Sequence, residues 1–235
     1  MLKIALPSKG RLMEQAQDWF ATRGITIRQT GEGREYAATL EGLAGAAPVL
    51  LSAGEIPRDL AAGRIHLGVT GSDLIREKLA DWPAEVAELA PMGFGHADLV
   101  LAVPAAWIDV ATLDDLDAAA AAFRASHGRR LRIATKYHRL VREHLTAHGI
   151  ADYALVDSQG ATEGTVAQGS AEAIADITST GETLRANHLR VLSDGLIHAS
   201  QATLFLSRRA AWGPQERETL AALTASLGVA LPGLG

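Results

Sequence analysis

The sequence predicts an α/β protein of two lobes, and three observations carry the prediction. Short runs rich in leucine and β-branched residues alternate with stretches of helical periodicity. Glycines close the helical stretches, with Gly24, Gly63 and Gly149 standing where a left-handed C-cap is wanted. The alternation also occurs as two successive series, as expected for βαβ units in largely parallel sheets.

The first series opens with a strand at Leu2 to Leu6 and a helix at Arg11 to Arg23. Gly31, Gly33 and Gly42 bound an excursion that carries a strand at Tyr36 to Leu40. A strand at Val49 to Leu51, a helix at Glu55 to Ala62 and a strand at Ile65 to Thr70 follow. Pro91 to Ala97, with Gly93 and Gly95, is short enough to read as a hinge rather than a linker.

The second series starts with a strand at Asp98 to Val103 and a helix from Leu113, opened by Thr112-x-x-Asp115, the spacing of a capping box. A strand at Leu131 to Ala134, a helix at Lys136 to His148, a strand at Tyr153 to Val156, a short helix at Thr162 to Ala167, a strand at Ala173 to Ile177 and a helix from about Glu182 complete it. The tail supplies strands at Arg190 to Leu192 and Ala202 to Ser207, then a helix at Pro214 to Ser226 with proline at its start. The expected division is residues 1–95 plus 190–235 as the first lobe and 96–189 as the second.

A chain of 235 residues buries a core without covalent staples. The absence of cysteine excludes thiolate metal sites, iron–sulfur clusters and cysteine nucleophiles. With 22 Lys and Arg against 27 Asp and Glu, the net charge of -5 repels polyanions, so a phosphate-rich ligand needs a local constellation and nucleic acid is not an expected partner. The N-terminal Met-Leu-Lys-Ile-Ala-Leu-Pro lacks the apolar core of a signal peptide, and no stretch reaches the ~18 apolar residues of a membrane span. The expectation is a cytoplasmic protein with no membrane partner.

The segment with most chemistry is Asp176-Ile-Thr-Ser-Thr-Gly-Glu-Thr-Leu184. An apolar strand runs into small hydroxyl residues around a glycine and then into a helix, a turn suited to holding phosphate through backbone N–H groups and hydroxyls. Thr178, Ser179, Thr180 and Thr183 donate without adding charge, Gly181 permits close approach, and Asp176 stands where a carboxylate takes ribose hydroxyls or a metal. An ordinary Ser/Thr-capped helix start is the bland alternative. No Walker A loop occurs, and Gly93-Phe94-Gly95 lacks the third glycine of a dinucleotide fingerprint.

The run from Gly160 through Glu163, Gly169, Glu172 and Asp176 to Asn187 resembles the phosphoribosyl-diphosphate-binding region of the ATP phosphoribosyltransferases, the first enzymes of histidine biosynthesis. Gly10-Arg11-Leu12, Gly68-Val-Thr-Gly71-Ser-Asp73 and Arg132-Ile-Ala-Thr-Lys136-Tyr137 agree in order, so the resemblance spans most of the chain. It departs at Ser52-Ala-Gly-Glu55-Ile-Pro57, where the family usually carries an arginine, and Lys9, Arg11 and Arg34 are the candidate replacements. The chain stops soon after its last helix, which resembles the short form of the family.

The resemblance implies a two-lobed, periplasmic-binding-protein-like (type II) α/β architecture with mixed, mostly parallel sheets. It implies transfer of the phosphoribosyl group of 5-phosphoribosyl 1-diphosphate to N1 of the adenine of ATP, with Mg²⁺ as cofactor held mainly by diphosphate rather than by assigned side chains. Glu163, Asp176 and Lys9 are then expected to be catalytic. Thr178, Ser179, Thr180, Gly181, Glu182, Thr183 and Glu172 are expected to bind 5-phosphoribosyl 1-diphosphate; Gly10, Arg11, Arg34, Gly71, Asp73, Lys136 and Tyr137 are expected to bind ATP. The short form implies a partner resembling histidyl-tRNA synthetase, in a hetero-octamer. A non-catalytic two-lobed anion- or solute-binding module and a different phosphoribosyltransferase are the alternatives.

Three further clusters read as structural. His144 and His148 are one helical turn apart but lack the glutamate of a zinc-protease helix. Arg124 to Glu143 holds seven Lys or Arg against one acid, a solvated basic face without interleaved aromatics. Asp114, Asp115 and Asp117 complement a helix N-terminus.

Overall fold

The computed structural model describes residues 1–29, 38–158, 160–231 and 233. The chain forms two compact units, Met1–Gly95 with Gln201–Gly235, and His96–Ser200. In chain order the elements are β1 (Leu2–Pro7), α1 (Arg11–Ala21), β2 (Thr26–Gln29), β3 (Ala38–Glu41), β4 (Ala46–Leu51), α2 (Ile56–Ala61), β5 (Leu67–Gly71), α3 (Ser72–Lys78), α4 (Trp82–Glu85) and β6 (Val86–Pro91). There follow β7 (Ala97–Pro104), α5 (Leu113–His127), β8 (Leu131–Thr135), α6 (His138–Ala147), β9 (Tyr153–Asp157), a 3₁₀ turn (Thr162–Gly164), β10 (Ala173–Thr178), α7 (Glu182–Ala186), β11 (Leu189–Ser200), β12 (Ala202–Ser207) and α8 (Pro214–Leu227).

The first unit is built on a sheet of order β4-β1-β5-β12-β6. In β1, Leu2 and the run Ile4-Ala5-Leu6 are buried and Lys3 alone is exposed, as in a strand covered on both faces. It pairs in parallel with β4 from Leu2 opposite Ala46 to Pro7 opposite Leu51, and in parallel with β5. The loops after β1, β4 and β5 therefore leave the sheet at one edge. Pro48 sits inside β4 without breaking the sheet because β4 is its outer strand, where a missing N–H is tolerated. Met13, Ala16 and Phe20 form the buried stripe of α1 at helical spacing.

The second unit holds a sheet of order β11-β7-β10-β8-β9. Strand β10 runs parallel to β8, which runs parallel to β9, and antiparallel to β7. Thr135, Asp157 and Thr178 thus end their strands at a common edge. The Thr112 capping box forms as the spacing predicts: Asp115 N donates to Thr112 Oγ1 at 3.2 Å and Thr112 N donates to Asp115 Oδ2 at 2.9 Å. Thr112→Ala is expected to cost about 1 kcal/mol of unfolding free energy by removing the first half of that exchange. Urea denaturation checks this, and a value near zero would show that the box is redundant at this helix start.

The lobe boundary expected at residue 190 needs correction. Strand β11 extends to Ser200 and pairs antiparallel with β7, with an irregular register between Val191 and His198, so residues 190–200 belong to the second unit. Its alternation of buried and exposed residues is broken by Ser193-Asp194-Gly195, which hides the strand from a pattern reading. The short elements β2, α3, α4 and β6 are absent from the sequence reading; α3 starts directly at the end of β5, with Gly71 as its N-cap. Of the strand expected at Tyr36 to Leu40, Tyr36 and Ala37 lie outside the described residues, and β3 starts at Ala38. No described helix is long and apolar enough to cross a membrane.

Candidate active site

In the second unit, the loops that follow β8, β9 and β10 leave the sheet at one edge, the place where open α/β sheets bind ligands. A cavity of about 270 Å³ there is lined by Glu163, Asp176, Thr178, Ser179, Thr180 and Thr183, with Ala97, Ile177 and Leu184 as its apolar part. Two carboxylates and four hydroxyls therefore face one space. Asp176 stands on β10 opposite Val100 and its Oδ1 accepts from Ile177 N at 2.9 Å. Glu163 sits in the 3₁₀ turn, which is anchored below by the buried Ser158–Thr162 hydroxyl pair at 2.6 Å.

The turn of residues 178–181 is tied by its own hydroxyls. Thr178 Oγ1 accepts from Gly181 N at 2.8 Å, Thr180 Oγ1 accepts from Glu182 N at 3.3 Å, and Ser179 Oγ donates to His96 O at 2.9 Å. Gly181 adopts φ 72° and ψ 1°, the left-handed region, and caps α7. Glu182 opens α7 with an exposed side chain and is not among the lining residues. A residue the sequence reading missed also holds this turn: Arg185 Nη2 donates to Thr180 O at 3.0 Å, and a Cβ at Gly181 would lie 3.0 Å from Arg185 Nη1. An arginine in the last turn of a helix reads from sequence as a dipole complement, so it carried no signal.

Glu172, expected among the ligand-binding residues, is placed elsewhere. It precedes β10, at the end of the strand opposite the hydroxyl turn, and is held by two arginines. Arg132 donates to it from its backbone N at 2.8 Å, from Nε at 3.2 Å and from Nη2 at 2.7 Å; Arg129 donates through both Nη atoms at 3.2 and 3.0 Å. Burial pushes its carboxyl up, but these donors outweigh burial and hold it down at about 2. Its acceptor capacity is spent on the protein, which argues against a ligand role. Lys136 and Tyr137, expected to bind ATP, also belong to the second unit. Lys136 Nζ donates to Gly160 O at 2.6 Å, and Tyr137 is buried with its N–H on Thr135 Oγ1 at 2.9 Å.

In the first unit, Lys9 and Gly10 follow β1 and Arg11 opens α1, with Lys9 and Arg11 exposed. Lys9 lines a pocket of about 280 Å³ with Ser8, Leu50, Leu51, Ser52 and Glu55. Ser52 donates to Glu55 Oε2 from Oγ at 2.6 Å and from N at 3.1 Å, which lowers the Glu55 carboxyl below its ordinary range. Gly71 ends β5 and caps α3, and Asp73 is buried in the first turn of that helix. Gly68, in the same motif, lies beneath α2: a Cβ there would meet Ile56 Cγ2 at 2.5 Å. Its role is close packing of helix on sheet. Arg34 lies outside the described residues.

The family model described as HisG: ATP phosphoribosyltransferase matches residues 52–227. An ATP phosphoribosyltransferase of Cereibacter sphaeroides is 72% identical over 231 residues, 98% of each chain.

The chain belongs to the ATP phosphoribosyltransferase family.

The phosphoribosyl transfer that the resemblance implies, the first step of histidine biosynthesis, is thus the reaction of its family. Several other family members are longer, and the chain spans 66% of their length. Among solved structures, the ATP phosphoribosyl transferase (HisG:HisZ) complex from Thermotoga maritima matches with a TM-score of 0.68 at 22% identity, over 97% of both chains. A mutant of ArgBP from T. maritima matches with a TM-score of 0.53 at 13% identity, over 97% of this chain and 87% of that one. These likenesses bear out the expected periplasmic-binding-protein-like (type II) α/β fold.

Proposed function

We propose that this chain transfers the 5-phosphoribosyl group of 5-phosphoribosyl 1-diphosphate to N1 of the adenine of ATP, releasing diphosphate in the first step of histidine biosynthesis. The observation that carries the reading is the cavity in which Glu163 and Asp176 face the same space as the hydroxyl turn Thr178–Thr183. In the reaction the bond from ribose C1 to the diphosphate oxygen breaks, the bond from adenine N1 to C1 forms with inversion, and positive charge gathers on the ribosyl ring. No covalent nucleophile is needed, so positioning and electrostatics carry the rate enhancement.

Asp176 and Glu163 accept the ribose hydroxyls and their negative charge favours the cationic ring in the transition state. Thr178, Thr180 and Thr183 surround the 5-phosphate with neutral donors, Ser179 joins them by turning its hydroxyl away from His96 O, and Gly181 sets the turn. Lys9 is the cation assigned to the leaving diphosphate. Gly10, Arg11, Arg34, Gly71, Asp73, Lys136 and Tyr137 are the residues assigned to ATP. Glu172 takes no part.

A divalent ion fits this donor set. Among the described residues no three His, Asp or Glu side chains gather into a metal cage, while Asp176 and Glu163 offer hard oxygen ligands beside a polyanion. Those residues and the diphosphate would hold Mg²⁺, which supplies charge neutralisation of the leaving group.

Turnover is expected to require ATP, 5-phosphoribosyl 1-diphosphate and Mg²⁺ together, read as diphosphate release and adduct absorbance; release without ATP would sink the reading. Arg11→Ala is expected to raise KM for ATP about tenfold and KM for 5-phosphoribosyl 1-diphosphate by less, the size of one lost charge-assisted contact. The reverse ranking would reassign the two substrates. The solved HisG:HisZ complex supports a partner subunit for this chain too; we take that partner to be regulatory and histidyl-tRNA-synthetase-like, and the assembly to be a cytoplasmic hetero-octamer. Adding that partner is expected to raise turnover.

A further inference from the structure

The basic stretch from Arg124 to Glu143 is not the uniform solvated face that its composition suggests. Arg124 pairs with Asp152, Arg129 and Arg132 with Glu172, and Arg139 with Glu143, while Lys136 donates to Gly160 O. Two arginines of the seven are left over, Arg130 and Arg142, and neither makes an ion pair with a described residue. Both line one cavity of about 530 Å³. That space lies where β8 and β9 begin, at the sheet edge opposite the hydroxyl turn, which follows the end of β10. Arg130 immediately precedes β8, Arg142 rides on α6, and Tyr153 opens β9.

The cavity is more than a basic patch. Ile150, which is buried, together with Leu155 and Tyr153 gives it an apolar and aromatic wall, and no carboxylate lines it. Its volume falls in the range of small-molecule sites, which pair apolar walls with a few fixed polar groups. Two unmatched guanidinium groups facing one space repel each other, and an anion of charge near two relieves that repulsion. Planar guanidinium forks match the oxygens of a phosphate, whose monoester carries close to two charges at neutral pH.

We infer that this cavity binds a phosphate monoester carried on an aromatic or apolar body, at a site separate from the phosphoribosyl cradle. Arg130 and Arg142 take the phosphate, and Tyr153, Ile150 and Leu155 cover the body. The site can be occupied without touching Asp176 or Glu163, so its ligand is neither consumed nor released by phosphoribosyl transfer.

The test uses the full chain and phenyl phosphate as the probe, with phenol and inorganic phosphate as the two halves of its chemistry. Hydrogen exchange over residues 149–156 reports this cavity and exchange over 178–184 reports the cradle. Phenyl phosphate is expected to protect 149–156, and the doubly substituted Arg130→Gln, Arg142→Gln protein is expected to need at least about tenfold more probe for the same protection. That variant is expected to keep the wild-type Tm and the wild-type rate of phosphoribosyl transfer, since both side chains are exposed and outside the site described above. Inorganic phosphate and phenol are each expected to protect more weakly than phenyl phosphate. Protection confined to 178–184 would overturn the inference. So would equal protection by phenol, or an unchanged response in the double variant.

Discussion

Gly181→Val is expected to weaken 5-phosphoribosyl 1-diphosphate binding by about a hundredfold while leaving the unit folded. The cause is local backbone geometry. Residue 181 sits at φ 72° and ψ 1°, where a residue with a Cβ is penalised by about 1–2 kcal/mol and a β-branched one by more. The added Cβ also meets Arg185 Nη1 at 3.0 Å. That guanidinium is the flexible end of a side chain and can swing away, but in doing so it gives up its bond to Thr180 O. The turn therefore re-forms with a different φ at 181, and the bond from Gly181 N to Thr178 Oγ1 goes with it. Ser179 and Thr180 are exposed, so the rearrangement stays at the surface and the core beneath β10 is untouched. Titration calorimetry with 5-phosphoribosyl 1-diphosphate, beside thermal denaturation, separates the two effects. An affinity equal to wild type would show that the phosphate is held elsewhere.

Glu172→Gln is expected to cost about 2 kcal/mol of stability at pH 7 with kcat and both KM values little changed. Removing the charge leaves Arg129 and Arg132 facing a neutral amide that cannot accept as strongly. Arg129 is 45% exposed and Arg132 29%, so water screens the loss and keeps it below that of a fully buried pair. The pH dependence has a definite sign. The carboxyl is held at about 2, below its ordinary 4.5, so its contribution to stability is complete above 4.5 and is lost as the pH falls from there towards 2. Urea unfolding of the wild type should weaken over that interval, and the variant should lack this component of the slope. A raised KM for 5-phosphoribosyl 1-diphosphate with unchanged stability would instead restore Glu172 to the binding site.

These two positions also show how far local sequence carries. Gly181 was legible as a turn because a glycine within a run of hydroxyl residues joins an apolar strand to a helix-forming stretch, and the turn formed where the pattern placed it. Glu172 lies only four residues before Asp176 in the same motif, yet the two belong to opposite ends of one strand. A strand advances by about 3.3 Å per residue, so neighbours in a motif need not be neighbours at a site. Which of them faces a ligand depends on what the rest of the fold brings to each end.

Arg130 and Arg142 make the same point in reverse. Composition shows seven cations in a stretch with one acid, but their partners Asp152 and Glu172 lie outside it, so only the folded chain reveals which cations remain unmatched.

What the amino-acid sequence determined by itself was the α/β class, the order of its main strands and helices, the capping box at Thr112 and the hydroxyl turn after β10. Each is local, set by hydrophobic period, turn residues and hydrogen bonds between residues a few positions apart. Only the tertiary structure decided that residues 190–200 complete the second sheet, that Gly68 makes room for Ile56, and that Glu172 is consumed by Arg129 and Arg132. Those outcomes depend on pairing across long separations, where shape and charge from distant segments compete for the same surface and no short window contains both competitors.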